Sequence, residues 1–348
     1  IHTSSVNIVP EKPNYKFKYI MQKEKNSPVA IIYPSIGEGI SSHHSVVLAK
    51  LFYDEGYSVI IQGSHFQWEF AKIMPEGYAP GIPSNDVKYL KEVTGKIIAN
   101  LEKKYDCKLG DKVVIGTSFG AVTTLFLADS EAKNNTLGKA KFISICPPIE
   151  LVYAMEQVDK NGEDWSRNAD NLKHKIATTA AKVVQLSDLK DSSQNIEFNK
   201  LPFSEEEGKL ITGFIMHQKL SDLIFTLENT SKTKQTQVYD TINNMNYRDY
   251  AMKYLLKNNY DSLADLNEAT NLLSLEEYLK NNSNYKIYHS LDDYLTNHAQ
   301  LKKLKLCTGK KTILMSNGGH LGFLYTKEFL ENLKGEIRLN NNQQKTKT

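Results

Sequence analysis

An α/β fold on a mainly parallel sheet is predicted by two observations. Short apolar runs alternate with helical patterns up to about residue 149, and a strand pattern returns near residue 285 after a long helical block. Taken in order, Tyr15 to Ile20 alternates polar and apolar residues and reads as an early strand. PVAIIYPSIGEG is a buried strand entering a Pro and Gly loop. HHSVVLAKLFYDEGYSVIIQGSHF gives a helix closed by Gly, then a buried strand over Tyr57 to Gln62. Ser84 is placed to cap a helix whose apolar positions Val87, Leu90, Val93, Ile97 and Leu101 recur at intervals of three or four. LGDKVVIG, FGAVTTLFLADSEA and AKFISICPP supply a further strand, helix and strand.

From Ile149 to Tyr285 helical patterning takes over, with capping boxes at Ser204/Glu207 and Ser274/Glu277. A helical block inserted between two sheet strands is expected to form a lid over the sheet's carboxyl edge. Its apolar residues Ile211, Phe214, Ile215, Leu223, Ile224 and Phe225 can enclose a hydrophobic chain or pack on themselves. NYKIYHS and KTILMSN read as the last strands and TKEFLENLK as the last helix. The expected division is an N-terminal extension (1–26), a core (27–149 and 285–338), a helical cap (150–284) and a disordered tail (339–348) with almost nothing to bury.

The chain of 348 residues carries a net charge of only +3, from 43 Lys and Arg against 40 Asp and Glu, so no strong field draws in a polyanion and nucleic acid is not an expected partner. No apolar run approaches the roughly 18 residues of a membrane span, which leaves a soluble or peripheral protein as the expectation. Cys107, Cys146 and Cys307 are odd in number and widely spaced, which excludes a fully paired disulfide framework and a CxxC metal site. His174, His217, His289 and His298 form no metal-binding spacing, so neither metal nor cofactor is expected.

Chemistry concentrates at Gly116-Thr117-Ser118-Phe119-Gly120, a G-x-S-x-G pattern. Alone the pattern is weak; it gains meaning because a strand precedes it and a helix follows, the setting in which a serine sits on a strained turn with glycines where side chains would clash. A serine hydroxyl needs a base to take its proton and a third group to orient that base. In this arrangement the acid and then the histidine follow on loops after later strands. Asp292 and Asp293 lie after one predicted strand and His320 after another, beside the Gly318–Gly319 pair that lets its loop turn sharply. Asp293 is preferred to Asp292 on its spacing to the following loop.

With these residues the chain resembles the α/β-hydrolase superfamily, over Ala30 to Ile149 and Tyr285 to about Lys334, with the intervening helices similar to that family's variable cap. The resemblance implies a nucleophile at Ser118, an acid at Asp293 and a general base at His320. It also implies an oxyanion hole from the Phe119 N–H and a second N–H in the loop after the first core strand. The family commonly has His-Gly in that loop. Here Pro34 and Ser35 stand in its place, which makes Ile36 the second donor by position.

His43 and His44 read as surface residues, while His65, Phe66 and Trp68 are placed either to wall an acyl pocket or to pack. The expected activity is hydrolysis of a carboxylic ester with an apolar acyl part. A silent lipid-binding or docking module and an amidase or peptidase are the alternatives. DDYL followed by GGHLGF is similar to exported bacterial hydrolases associated with lipid handling, which implies a periplasmic or secreted protein, with the cytoplasm as alternative.

Overall fold

The computed structural model describes residues 1–166, 174–175, 177–182, 203–228, 234–256 and 260–345. Among the described residues eight strands form one sheet: β1 (His2–Val6), β2 (Tyr15–Ile20), β3 (Val29–Tyr33), β4 (Ser58–Ile61), β5 (Lys112–Thr117), β6 (Ala140–Ile145), β7 (Tyr285–Ser290) and β8 (Thr312–Met315). Their order is β1-β2-β4-β3-β5-β6-β7-β8. The pairs β1–β2 and β2–β4 are antiparallel and all others parallel, so the N-terminal segment read as an extension is a two-stranded edge of the same sheet.

The central strands are apolar throughout because both sheet faces are covered. Along β3, Val29, Ile31 and Tyr33 join one core while Ala30 and Ile32 join the other. The first core packs against α3 (Pro83–Tyr105) and α4 (Phe119–Lys133) through Leu90, Val93, Ile97, Val122 and Leu125. The second is closed by α1 (His43–Asp54) and the C-terminal helix Lys327–Lys345, through Leu48, Phe52, Phe329, Leu333 and Ile337. From β3 the chain crosses by α1 to β4 over one face, returns by α2 (Trp68–Ile73) and α3 to β5, and leaves β5 by α4 for β6 over the other face. Loops leaving the carboxyl ends of β3 and β5 therefore diverge and open a crevice at this switch point.

Helix starts depart from the sequence reading in two places. The N-cap of α3 is extended Ile82 with Pro83 in the first helical position, which leaves Ser84 inside the helix. Ser274 lies in a short 3₁₀ turn whose N-cap is Asn271, and the helix Glu276–Asn281 starts from Leu275 without a side-chain cap. The Ser204/Glu207 box does form, with the Glu207 N–H 3.2 Å from Ser204 Oγ and the Ser204 N–H 2.8 Å from Glu207 Oε2. The tail read as disordered from residue 339 is helical to Lys345, since neither Pro nor Gly follows Gly335 to stop a helix anchored by Phe329, Leu333 and Ile337.

Above the carboxyl edge, α5 (Leu151–Ser166) packs against the helix Glu205–Glu228. Leu223 and Ile224 are buried there, whereas Phe214 and Ile215 are 43% and 45% exposed.

Candidate active site

Ser118 lies between β5 and α4 with φ 52° and ψ −120°, a conformation L-residues avoid and one that costs about 1–3 kcal/mol. Its surroundings hold it there. Its N–H bonds the Ile145 carbonyl at 2.9 Å, and its own carbonyl accepts from the Ala121 and Val122 N–H groups at 2.9 and 3.2 Å. The flanking glycines are required by space: a Cβ on Gly116 would stand 2.2 Å from the Gly120 carbonyl oxygen, and one on Gly120 would stand 2.3 Å from that of Tyr33.

His320 comes to this serine on the loop after β8, its Nε2 2.8 Å from Ser118 Oγ and its Nδ1 2.8 Å from Asp293 Oδ2. A carboxylate only accepts, so the imidazole proton sits on Nδ1 and the Nε2 lone pair faces the serine hydroxyl. Burial raises the Asp293 pKa. The charge and hydrogen bond of His320 outweigh this, with help from His289 and the Leu295 N–H, and hold Asp293 below the usual carboxylate range. The acid thus remains an anion that orients the ring.

Asp292 has a different place, which the sequence reading missed. It accepts the Gly318 and Gly319 N–H groups at 3.2 and 2.8 Å and the Ser290 hydroxyl, so it clamps the histidine loop. Gly319, at φ 55°, supplies the sharp turn there. Nothing local in the sequence brings Asp292 to the Gly-Gly loop; the pairing of β7 with β8 does.

Phe119 opens α4, where the first N–H groups have no acceptor in their own helix. The loop after β3 carries Ile36 to the same cavity. That loop is tied to the serine turn by Ser35 Oγ and Thr117 Oγ1 at 3.0 Å, and to the loop after β4 by the Gly37 N–H on the Phe66 carbonyl at 3.0 Å. At the rim, Glu38 is 3.2 Å from the Nδ1 of His44, and His43 and His44 both stack on Tyr325. The stem of Lys219, on the cap helix Glu205–Glu228, crosses above Gly37. Burial pushes the Lys219 ammonium down.

Ser118 opens onto a cavity of about 70 Å³ lined by Ile36, Phe66, Phe119, Met216, Tyr250 and Leu255 among others. The lining is apolar in effect because its hydroxyls are engaged: Tyr247 donates to the Met216 carbonyl at 2.9 Å, Tyr250 to that of Pro80 at 2.7 Å, and Thr270 to that of Leu266 at 2.8 Å. Phe66 is part of this wall. His65 is buried behind Phe119, and Trp68 is 38% exposed.

Among the described residues, Cys146, His289 and Asp293 bring potential metal-binding atoms within 4.8 Å of one another. The set does not suit an ion. His289 Nδ1 accepts the Ser290 N–H at 2.9 Å and its Nε2 meets the Pro147 carbonyl at 3.2 Å, which leaves no nitrogen lone pair. Burial also pushes the Cys146 thiol up, and Asp293 adds to this, so the thiolate is disfavoured. No helix among the described residues is long and apolar enough to cross a membrane.

No family model matches the chain, and neither does any curated protein. Among solved structures, an esterase of Pyrococcus furiosus is 11% identical, with 97% of this chain and 88% of that one covered at a TM-score of 0.48. The α/β-hydrolase domain-containing protein 10 from mouse is 12% identical, with 99% of each chain covered at 0.44. A thioesterase domain from the curacin biosynthetic pathway is 13% identical, with 97% and 99% covered at 0.45. Such likenesses concern overall fold alone. What places this chain is its own architecture: a sheet wound both ways from β3, a serine turn at the switch point and a histidine loop after the last strand. In these features the protein has the fold of the α/β-hydrolases.

Proposed function

We propose that the protein is a serine hydrolase that cleaves a carboxylic ester with a short, unsubstituted acyl group. The observation that carries this reading is the continuous hydrogen-bonded chain from Asp293 through His320 to Ser118, ending at an apolar cavity. His320 Nε2 takes the Ser118 proton as Oγ attacks the ester carbonyl, and Asp293 stabilises the imidazolium. The N–H groups of Phe119 and Ile36 receive the developing oxyanion. His320 then protonates the departing alcohol, and water, activated by the same ring, releases the acid.

The cavity supports a short acyl group. Its volume of about 70 Å³ is below the roughly 150 Å³ of an engineered cavity that holds benzene. A long chain exceeds this volume. Since the lining hydroxyls are engaged, a polar acyl substituent would enter without a partner and lose its hydration.

The test is a series of p-nitrophenyl esters from acetate to palmitate beside aminoacyl p-nitroanilides. Acetate to butyrate should turn over about a hundredfold faster than palmitate, and Ser118→Ala should lose about 10⁴-fold or more. Preference for the anilides would make the protein an amidase. A folded protein inactive on the whole series would be a binding module.

A further inference from the structure

Directly behind Phe119 lies a buried ionisable pair that the proposed reaction does not use. His65, on the loop after β4, and Asp86, in the first turn of α3, are 1% and 0% exposed, with Nε2 and Oδ2 3.4 Å apart. Asp86 also accepts from the Tyr78 hydroxyl at 2.8 Å and the Gly81 N–H at 3.0 Å. Thr123, one turn into α4, donates its hydroxyl to the Phe119 carbonyl at 2.9 Å and stands 3.3 Å from His65 Nε2. The Thr123 proton is committed to Phe119 and Asp86 is an acceptor, so both partners require the His65 proton on Nε2. The imidazole lies 4.7 Å from the Phe119 ring at an interplanar angle of 27°, and Phe66 meets that ring edge-on at 5.8 Å.

Packing alone gives no reason to bury such a pair, since an apolar side chain fills the same space without the desolvation cost. Apart from the bonds of Asp86 to Tyr78 and Gly81 and an edge contact of His65 with Phe70, its connections converge on Phe119. The ring of Phe119 is clamped by His65 and its carbonyl by Thr123, which together fix the frame from which its N–H points.

We infer that His65, Asp86 and Thr123 are positioning residues that aim the Phe119 amide at the oxyanion, with His65 transmitting the rigidity of α3 to the start of α4. The inference rests on the reading of Ser118 as nucleophile. A donor aimed before the reaction stabilises charge only as it develops, so the network acts on the transition state and leaves substrate binding alone.

Two variants test it: His65→Phe, which keeps an aromatic ring against Phe119, and Thr123→Val, which is nearly isosteric and leaves His65 on Asp86. Each is compared with wild type for kcat, KM and inhibition by a trifluoromethyl ketone, whose hemiketal oxygen occupies the oxyanion position. The expected result is a fall in kcat of about 10- to 100-fold, KM within about twofold, and weaker ketone binding by a factor similar to the loss in kcat. Unchanged kcat and ketone affinity in Thr123→Val would overturn the inference, as would a raised KM with kcat intact, which marks a wall of the acyl cavity. If His65→Phe does not fold, Thr123→Val alone decides. A wild-type protein whose Ser118 resists a fluorophosphonate would overturn the underlying reading, whereas normal labelling with unaltered variants overturns the positioning role only.

Discussion

Asp292 and Asp293 are neighbours in sequence and differ in what they hold. Asp293 is 3% exposed and faces the His320 ring, while Asp292 grips the main chain of the loop that carries that ring. Asp293→Asn, which removes the anion and favours the wrong imidazole tautomer, should lower kcat on a short ester by about 10⁴-fold. Asp292→Asn should cost about 10- to 100-fold, because its amide has one acceptor oxygen for three donors and the loop loosens. Equal losses, or the reverse order, would show that the two roles are misassigned. Sequence spacing was enough to prefer Asp293, but not to give Asp292 a role. That role depends on N–H groups 26 and 27 residues away, brought near only when β7 and β8 pair.

At the scale of elements, the turn at Ser118 depends on two close backbone approaches. Gly120→Ala sets a methyl against the carbonyl oxygens of Tyr33 and Pro34 at 2.3 and 2.5 Å, both backbone and unable to swing aside. It should cost about 1–3 kcal/mol of stability. Gly95→Ala, at an exposed site within α3 with no atom within 4 Å of the new methyl, should add about 0.5–1 kcal/mol. Denaturant unfolding of the two variants reads this contrast directly, and equal effects would mean that the turn has slack. The central strands were legible because burial on both faces made them continuous apolar runs. The helix starts at Ser84 and Ser274 were misread because a neighbour had the stronger local claim: Pro83 preset the first helical φ, and the Asn271 side chain bonded the Leu273 N–H at 2.8 Å.

Across the whole molecule, the site is a product of topology. The sheet winds outward in both directions from β3, and the crevice this leaves receives Ile36 from one loop and Ser118 with Phe119 from another. Helices of the cap then close it with Met216, Tyr247, Tyr250 and Leu255. The alternation of strands and helices announced the first part. The second was illegible because apolar residues in the cap divide between lining, packing and solvent according to how its helices dock, as exposed Phe214 and buried Leu223 show. The claim on which the rest depends is that Ser118 is an activated nucleophile, and labelling with a fluorophosphonate followed by mass mapping tests it most directly. The account predicts a single adduct on Ser118, absent in Ser118→Ala and strongly reduced in His320→Ala. A folded wild-type protein that stays unlabelled, or an adduct on another residue, would contradict it.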